Sequence, residues 1–137
     1  MALISSKGVY GLRAMYELSL APVNTLTQIK TIAQNTGISQ NYLEQLLSIL
    51  RRSGLVESIR GAQGGYKLAK PAESITVFQI IETLEGELEI LSQSSSNDPL
   101  RLFYEDCYES LTKVLTLPLS ELHRYHERLL GQLNYTI

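Results

Sequence analysis

Apolar residues recur at helical spacing along most of the chain, and these repeats predict where the helices lie. The first helix is predicted over residues 6–20, with Ser5 or Ser6 as its cap and an apolar repeat at Val9, Leu12, Met15, Tyr16 and Leu18. A second helix is predicted from about Thr27 to Asn35. Gly37 can adopt the left-handed conformation that ends a helix, and Ser39 is a good N-cap for a third helix, to about Ser53.

A hairpin and a further helix are predicted next. Two short β-like runs, Leu55–Arg60 and Tyr66–Lys70, flank a segment with three glycines in five residues, which is typical of a turn that requires positive φ angles. Thr76 and Gln79 then have the spacing of a helix capping box. Gly86 ends the helix that they start.

The remaining residues are predicted to form a polar loop and two helices. Residues 92–98 are Ser-Gln-Ser-Ser-Ser-Asn-Asp, a low-complexity run typical of a loop. A long helix is predicted over about residues 99–116, with one apolar stripe made of Leu100, Phe103, Tyr104, Cys107, Leu111, Val114 and Leu115. A last helix follows Pro118. The patterns together predict a mainly α fold with one small β-hairpin.

Length and composition are those of one small globular domain, with or without an appendage. The chain has 137 residues, of which 44% are hydrophobic and 19% charged, so it can bury a core. No stretch approaches 18 consecutive apolar residues, and the N-terminus lacks a signal-peptide pattern, which predicts a cytoplasmic protein that does not span a membrane. The single cysteine, Cys107, excludes an intramolecular disulfide.

Charge is divided unevenly between the two halves. Residues 1–70 carry eight Lys or Arg against three Glu, a net charge of +5, whereas residues 71–137 carry four against eleven acidic residues, a net charge of −7. Such asymmetry indicates contact between the basic half and a nucleic acid, although charged runs are often simply solvated faces.

The basic half has the element order of a winged helix-turn-helix: helix, glycine turn, capped helix, basic hairpin. In its third helix the leucines are predicted to face inward, which leaves outside the polar residues Gln40, Asn41, Glu44, Gln45, Arg51 and Arg52. Amides pair with adenine, carboxylates with cytosine, and guanidinium groups with guanine or phosphate. Backbone N–H groups near Ser39 can hold a phosphate. The alternative is an ordinary amphipathic helix with a polar face.

The hairpin strengthens the case for DNA. Arg60 and Lys67 flank its tip, where Gly61, Gly64 and Gly65 allow the backbone to approach another polymer closely. A slender tip that carries arginine fits the minor groove, although a tight turn with solvated charges would look the same. The competing hypothesis is a winged-helix module that docks on a partner enzyme and regulates it. An apolar patch on the third helix would favour that module.

Several specific motifs lie in the basic half: Ser6-Lys7-Gly8-Val9-Tyr10-Gly11-Leu12, Tyr42-Leu43-Glu44-Gln45-Leu46 and Val56-Glu57-Ser58-Ile59-Arg60-Gly61, followed by Gly64-Gly65-Tyr66. Together they resemble the Rrf2 family of bacterial transcription regulators, closely over residues 3–86 and loosely beyond. The resemblance implies a homodimeric repressor or activator, of which a repressor is expected, that binds double-stranded DNA at a roughly palindromic site.

The resemblance also implies roles for residues. Asn41, Glu44 and Gln45 would read bases and Arg60 would probe the minor groove, while Ser6 and Lys7 would contact phosphates. The apolar stripe on the helix over 99–116 would form the dimer interface, although such a stripe can equally be intrachain core. The chain would comprise a DNA-binding domain at 1–86, a loop at 87–98 and a dimerisation region at 99–137.

One departure from the family concerns its cofactor. Many members hold an iron–sulfur cluster on three cysteines just before the long helix, where this chain has none. A single thiolate per chain cannot supply the three or four ligands that a cluster usually needs, so we expect no cluster and no other cofactor. The alternative is a cluster that bridges two chains. One branch of the family also lacks the cluster and works through a protein partner. We therefore expect a protein or a small molecule as the effector.

No other chemistry is expected. His123 and His126 have an i, i+3 spacing that can bind a metal, but exposed or hydrogen-bonded histidines are the simpler interpretation, so no metal site is predicted. Glu85, Glu87 and Glu89 are interpreted as a solvated acidic stretch at a helix end. No catalytic constellation is present, and the chain is not expected to be an enzyme.

Overall fold

A computed structural model describes residues 2–87 and 97–135, and within them the predicted mainly α fold with one small hairpin is confirmed. The helices are α1 (Ser6–Leu20), α2 (Ile29–Thr36), α3 (Gln40–Arg52), α4 (Val77–Glu85), α5 (Arg101–Leu115) and α6 (His123–Tyr135). The strands β1 (Val56–Ile59) and β2 (Gly65–Leu68) pair antiparallel. Short 3-10 turns occupy Ala72–Ser74 and Leu119–Glu121. Most of the loop predicted at residues 92–98 lies outside the described residues.

The helix boundaries follow from local capping. The Ser5 hydroxyl accepts a hydrogen bond from the N–H of Lys7 at the start of α1, and Thr76 forms the predicted capping box with Gln79 at the start of α4. Gly37 ends α2 at a φ of 75°, the left-handed conformation that glycine adopts without strain.

The start of α2 differs from the prediction. Thr27 is not helical, because its backbone N–H and carbonyl each form a 2.8 Å hydrogen bond with the backbone of Tyr66 in β2. Thr27 therefore pairs with β2 as a short third strand of the hairpin would. As a result, α2 begins at Ile29, two residues later than predicted.

The core lies between α1, α3 and α4. α3 contributes four fully buried leucines, Leu43, Leu46, Leu47 and Leu50. The apolar repeat predicted for α1 is only half correct, because Val9 is 53% exposed while the glycines on the opposite side are buried. A Cβ atom on Gly11 would lie 2.1 Å from Leu84 Cδ1 of α4, so the glycine is what allows the two helices to approach.

The segment after α5 returns to the N-terminal core. Leu119 is 1% exposed, and its N–H donates a 2.7 Å hydrogen bond to the carbonyl of Ile75. α5 itself has no buried residue. Among the described residues, no helix has the length and apolar character needed to cross a membrane.

Candidate nucleic-acid interface

The outer face of α3 carries the predicted base-reading residues. Ser39 caps the helix by accepting a 3.2 Å hydrogen bond from the N–H of Tyr42. With leucines filling the inner face, the polar residues are exposed along one continuous side: Gln40, Asn41, Glu44, Gln45, Arg51 and Arg52. The two arginines lie in the last turn, where the helix dipole favours positive charge.

This face of α3 is polar throughout. None of the large apolar side chains that are exposed in the described part of the chain belongs to α3. An apolar patch on this face would have favoured the alternative hypothesis of a protein-docking module. The polar surface favours a nucleic acid instead.

A groove of about 640 Å³ separates α3 from the hairpin. Glu44, Ser48 and Arg51 line one wall at helical spacing, and Ser58 and Arg60 of the hairpin line the other. Arg51 bridges the two walls, because its Nη1 atom donates a 3.3 Å hydrogen bond to Ser58 Oγ. These five side chains supply one carboxylate, two guanidinium groups and two hydroxyls, which are groups that bind base edges and phosphates.

Sequence reasoning missed two residues at this groove. Gln28 and Lys30, at the start of α2, both line it. The side-chain Nε2 of Gln28 lies 3.5 Å from the carbonyl oxygen of Ala62 at the hairpin tip. No side chain caps the first turn of α2, and Lys30 is exposed beside it. The sequence did contain a signal for Lys30: a lysine in the first turn of the helix before the glycine turn can contact a phosphate bound there.

The glycines of the hairpin have different structural roles. Gly61 is exposed at a φ of 117°, whereas Gly64 is buried and its N–H donates to the Gly61 carbonyl. A Cβ atom on Gly64 would lie 2.0 Å from the Ile59 carbonyl oxygen, and one on Gly65 would lie 2.7 Å from that of Thr27. Gly64 thus permits the tight turn, and Gly65 permits the close approach of the hairpin to Thr27. Gly61 exposes its backbone at the tip.

The structure separates the two cations that flank the tip. Arg60 is exposed and lines the groove. Lys67 is opposite Glu57 in the hairpin, its Nζ lies 3.7 Å from Glu57 Oε2, and it lines a different depression on the other side of the hairpin. The reason is the strand pleat, which places neighbouring residues on opposite faces. The structure thus does not bring Lys67, a predicted DNA contact, to the groove.

The start of α1 presents Ser6 and Lys7, both exposed as a phosphate contact requires. Behind them lies Glu85, which is not part of a simply solvated acidic stretch. Its Oε1 accepts hydrogen bonds from the Ser5 hydroxyl and from the N–H groups of Ser5 and Gly8. Chiefly the Ser5 hydroxyl, with the two N–H groups and nearby Lys7, holds the pKa of Glu85 below its usual value, although partial burial acts in the opposite direction.

The predicted dimer residues form one side of α5 and the residue before it. Leu100, Phe103 and Val114 are more than half exposed. The other four are half-buried: Tyr104, Cys107, Leu111 and Leu115. The stripe is therefore not intrachain core, and it remains available to another surface.

The single cysteine does not fit the usual ligand set of an iron–sulfur cluster. Cys107, the only cysteine, is half-buried on α5, and no group of three or more His, Cys, Asp or Glu side chains converges in the described part of the chain. The two histidines have other partners. His123 Nδ1 lies 2.7 Å from the Ser120 carbonyl oxygen, and His126 Nδ1 lies 3.4 Å from the Tyr16 hydroxyl.

A helix-turn-helix with a polar second helix and a basic hairpin beside it defines the class of winged-helix DNA-binding proteins. The model of one family, Rrf2, described as an iron-dependent transcriptional regulator, matches residues 4–134. The chain belongs to this family of bacterial DNA-binding transcription regulators, and it is not an enzyme.

Named relatives agree with this assignment. The HTH-type transcriptional regulator CymR of Bacillus subtilis is 45% identical over 98 residues, which cover 72% of this chain and 71% of CymR. IscR of Cereibacter sphaeroides is 49% identical over 84 residues, which cover 60% of this chain and 54% of IscR.

Solved structures share the fold. The structure of CymR, the global cysteine regulator of B. subtilis, matches with a TM-score of 0.82 and 40% identity, covering 91% of this chain and 98% of that one. IscR of T. potens matches with a TM-score of 0.77 and 37% identity, covering 92% of this chain and 89% of that one.

Proposed function

We propose that the chain acts as a homodimer that represses transcription by binding a roughly palindromic DNA operator, without an iron–sulfur cluster. The observation that carries the proposal is the polar outer face of α3 beside the groove that Arg51 and Arg60 share. A bound dimer would cover its operator, and repression requires nothing more than this occupancy.

In the proposed complex, α3 enters the major groove. Asn41 and Gln45 would pair with adenine, and Glu44 would accept a hydrogen bond from cytosine N4. Arg60 at the exposed tip would enter the neighbouring minor groove, where the negative potential attracts a guanidinium group. Lys7, Lys30 and Arg52 would contact phosphates, which fix the register of the protein on the duplex.

The homodimer is supported by where the apolar surface lies. Most of the large apolar side chains that are exposed in the described part of the chain belong to α1, α5 and α6, and none belongs to α3. α5 has no buried residue, whereas most of the stability of a helix in a protein comes from packing its apolar face against another surface. Two copies that pair through their α5 stripes would place two α3 helices on one side of the duplex, about 34 Å apart.

The absence of a cluster is proposed because one cysteine per chain is too few for the usual ligand sets. Protein purified without oxygen should be colourless and contain neither iron nor sulfide. Brown protein with both elements would refute this part of the proposal. Without a cluster, the effector would be a protein or a small molecule. The acidic half of the chain repels DNA, so its surface is available to bind this effector.

The direct test is selection of bound fragments from genomic DNA, followed by binding measurements on the selected duplex. The proposal predicts that Arg60→Ala weakens binding and that Gln45→Ala costs about 1–3 kcal/mol and relaxes the preference at one base pair. Lys70→Ala, on an exposed lysine that does not line the groove, is the matched control and should bind nearly as the parent does. If no fragment is enriched, the proposal is wrong.

A further inference from the structure

The carboxylate of Glu85 is built into the start of α1. Glu85 is the last residue of α4, yet its Oε1 accepts three hydrogen bonds from residues nearly 80 positions earlier: 2.5 Å from the Ser5 hydroxyl, 2.9 Å from the N–H of Ser5 and 2.9 Å from the N–H of Gly8. The first N–H groups of a helix have no intrahelical partner, and a negative charge is stabilised beside them. The end of α4 therefore fixes the first turn of α1 through these hydrogen bonds.

Two glycines of α1 make room for this contact. A Cβ atom on Gly8 would lie 2.5 Å from Glu85 Oε1, and one on Gly11 would lie 2.1 Å from Leu84 Cδ1. Both glycines face the last two residues of α4, so the close approach covers nearly one turn of α1 and the C-terminal end of α4. A side chain at Gly8 would force the Glu85 carboxylate to shift, and one at Gly11 would force Leu84 to shift.

The residues held in this way border the proposed DNA surface. Ser6 and Lys7 lie between the two residues that bond Glu85, and both are exposed. On the other side, Gly86 follows Glu85 at a φ of 89° and starts the segment that leads to α5. Glu85 thus lies where the DNA-binding unit joins the connection to the proposed dimer helix.

We propose that Glu85 is a positioning residue of the DNA interface, which holds the first turn of α1 so that Lys7 meets a DNA phosphate. This inference rests on the proposed function, because Lys7 is a phosphate contact only if the protein binds DNA.

Removing Glu85 should change the affinity for DNA in the direction opposite to that expected from its charge alone. Removing a carboxylate near a bound polyanion should raise the affinity for DNA, because one repulsion is lost. If Glu85 acts by positioning Lys7, its removal should lower the affinity instead. Glu82, which is exposed one turn earlier on α4 and for which no side-chain contact to α1 is seen, provides the matched control for charge alone.

The test is a double-variant cycle on DNA binding, measured by fluorescence anisotropy over a series of KCl concentrations. The probe is the duplex that the parent protein selects from genomic DNA, and the variants are Glu85→Ala, Lys7→Ala, their combination, and Glu82→Ala. Each of the first two should weaken binding about fivefold and reduce the salt slope by about 1. The double variant should bind DNA no more weakly than either single variant, because the two substitutions remove the same contact. Glu82→Ala should bind as well as the parent or slightly more tightly.

Several results would overturn the proposal. Glu85→Ala could bind as the parent does, or the two effects could multiply in the combination. If the parent protein selects no DNA, the proposed function itself fails. If the parent binds DNA and Lys7→Ala binds more weakly, but Glu85→Ala binds as the parent does, this inference alone fails.

A second variant guards against a folding defect. If Glu85→Ala does not fold by circular dichroism, Glu85→Gln keeps an oxygen that can accept the same hydrogen bonds but lacks the charge. In the parent protein, the chemical shift of the Gly8 amide should change with pH as the Glu85 carboxylate titrates. In Glu85→Gln this pH-dependent change should be absent. An intact Gly8 titration in the variant would contradict the contact on which the proposal depends.

Discussion

Thr27 and Tyr66 exchange two backbone hydrogen bonds of 2.8 Å, and these bonds attach the hairpin to the segment before α2. A two-stranded hairpin alone is marginally stable in water. The extra pair therefore fixes the hairpin relative to α2 and α3, which keeps Arg60 beside the groove. The position of the minor-groove probe thus depends on a contact between distant parts of the chain.

Gly65→Ala should disturb that attachment. The new Cβ atom would lie 2.7 Å from the Thr27 carbonyl oxygen, and the backbone there cannot yield without breaking the pair. We expect the free energy of unfolding in urea to fall by about 1–3 kcal/mol and DNA affinity to fall as well. Gly131→Ala, in the open surface of α6 where nothing lies within 4 Å, should instead raise stability by about 0.5–1 kcal/mol. Equal effects of the two changes would contradict the packing described.

Leu119→Ala tests whether the segment after α5 is part of the core. Leu119 is fully buried among residues of the N-terminal region, so its truncation leaves a cavity that costs about 2–4 kcal/mol. Urea denaturation followed by circular dichroism measures the loss. Val23→Ala, at a side chain that is 90% exposed, should change stability by less than about 0.5 kcal/mol. A loss of similar size at both positions would show that the segment is not docked.

Val114→Asp should prevent dimer formation. Val114 is exposed on the apolar stripe of α5, and a carboxylate buried there without a partner would be strongly unfavourable. Light scattering coupled to size exclusion should give the mass of a dimer for the parent protein and of a monomer for the variant. Lys113→Asp places the same carboxylate on the other side of the helix and should leave the dimer intact. A dimeric Val114→Asp protein would place the interface elsewhere.

Stability should depend on the charge of Glu85 at low pH. Because its pKa is lower in the folded protein than its ordinary value of 4.5, the folded state favours the charged form. This contribution is present above pH 4.5 and is lost as the pH falls through the lowered folded value. Glu85→Gln should therefore be less stable than the parent at pH 7, with a difference that shrinks below pH 4.5. Urea midpoints between pH 7 and pH 3 measure it, and a constant difference would refute the assignment.

Most of the secondary structure could be predicted from local sequence alone. The starts of α3 and α4 follow from Ser39 and Thr76, whose side chains accept hydrogen bonds from N–H groups three residues away. The inner and outer faces of α3 follow from the helical period, because residues of one type recur on one side. The resemblance to the Rrf2 family rested on motifs in these same local elements.

The arrangement of the site was decided by contacts between distant segments. The pattern around α1 marked Val9 as an inward residue, but Gly8 and Gly11 face α4 because that helix approaches closely. Lys67 looked equivalent to Arg60 until the register of the strands placed it opposite Glu57.

The sequence by itself therefore determined the helices, the hairpin and the polar face of α3, because caps, turns and periodicity act over a few residues. Only the tertiary structure decided that Thr27 pairs with Tyr66, that Leu119 completes the core and that Glu85 holds the start of α1. Each of these contacts joins residues at least 39 positions apart. No local pattern specifies them, because they form only when the packed core brings the two segments together.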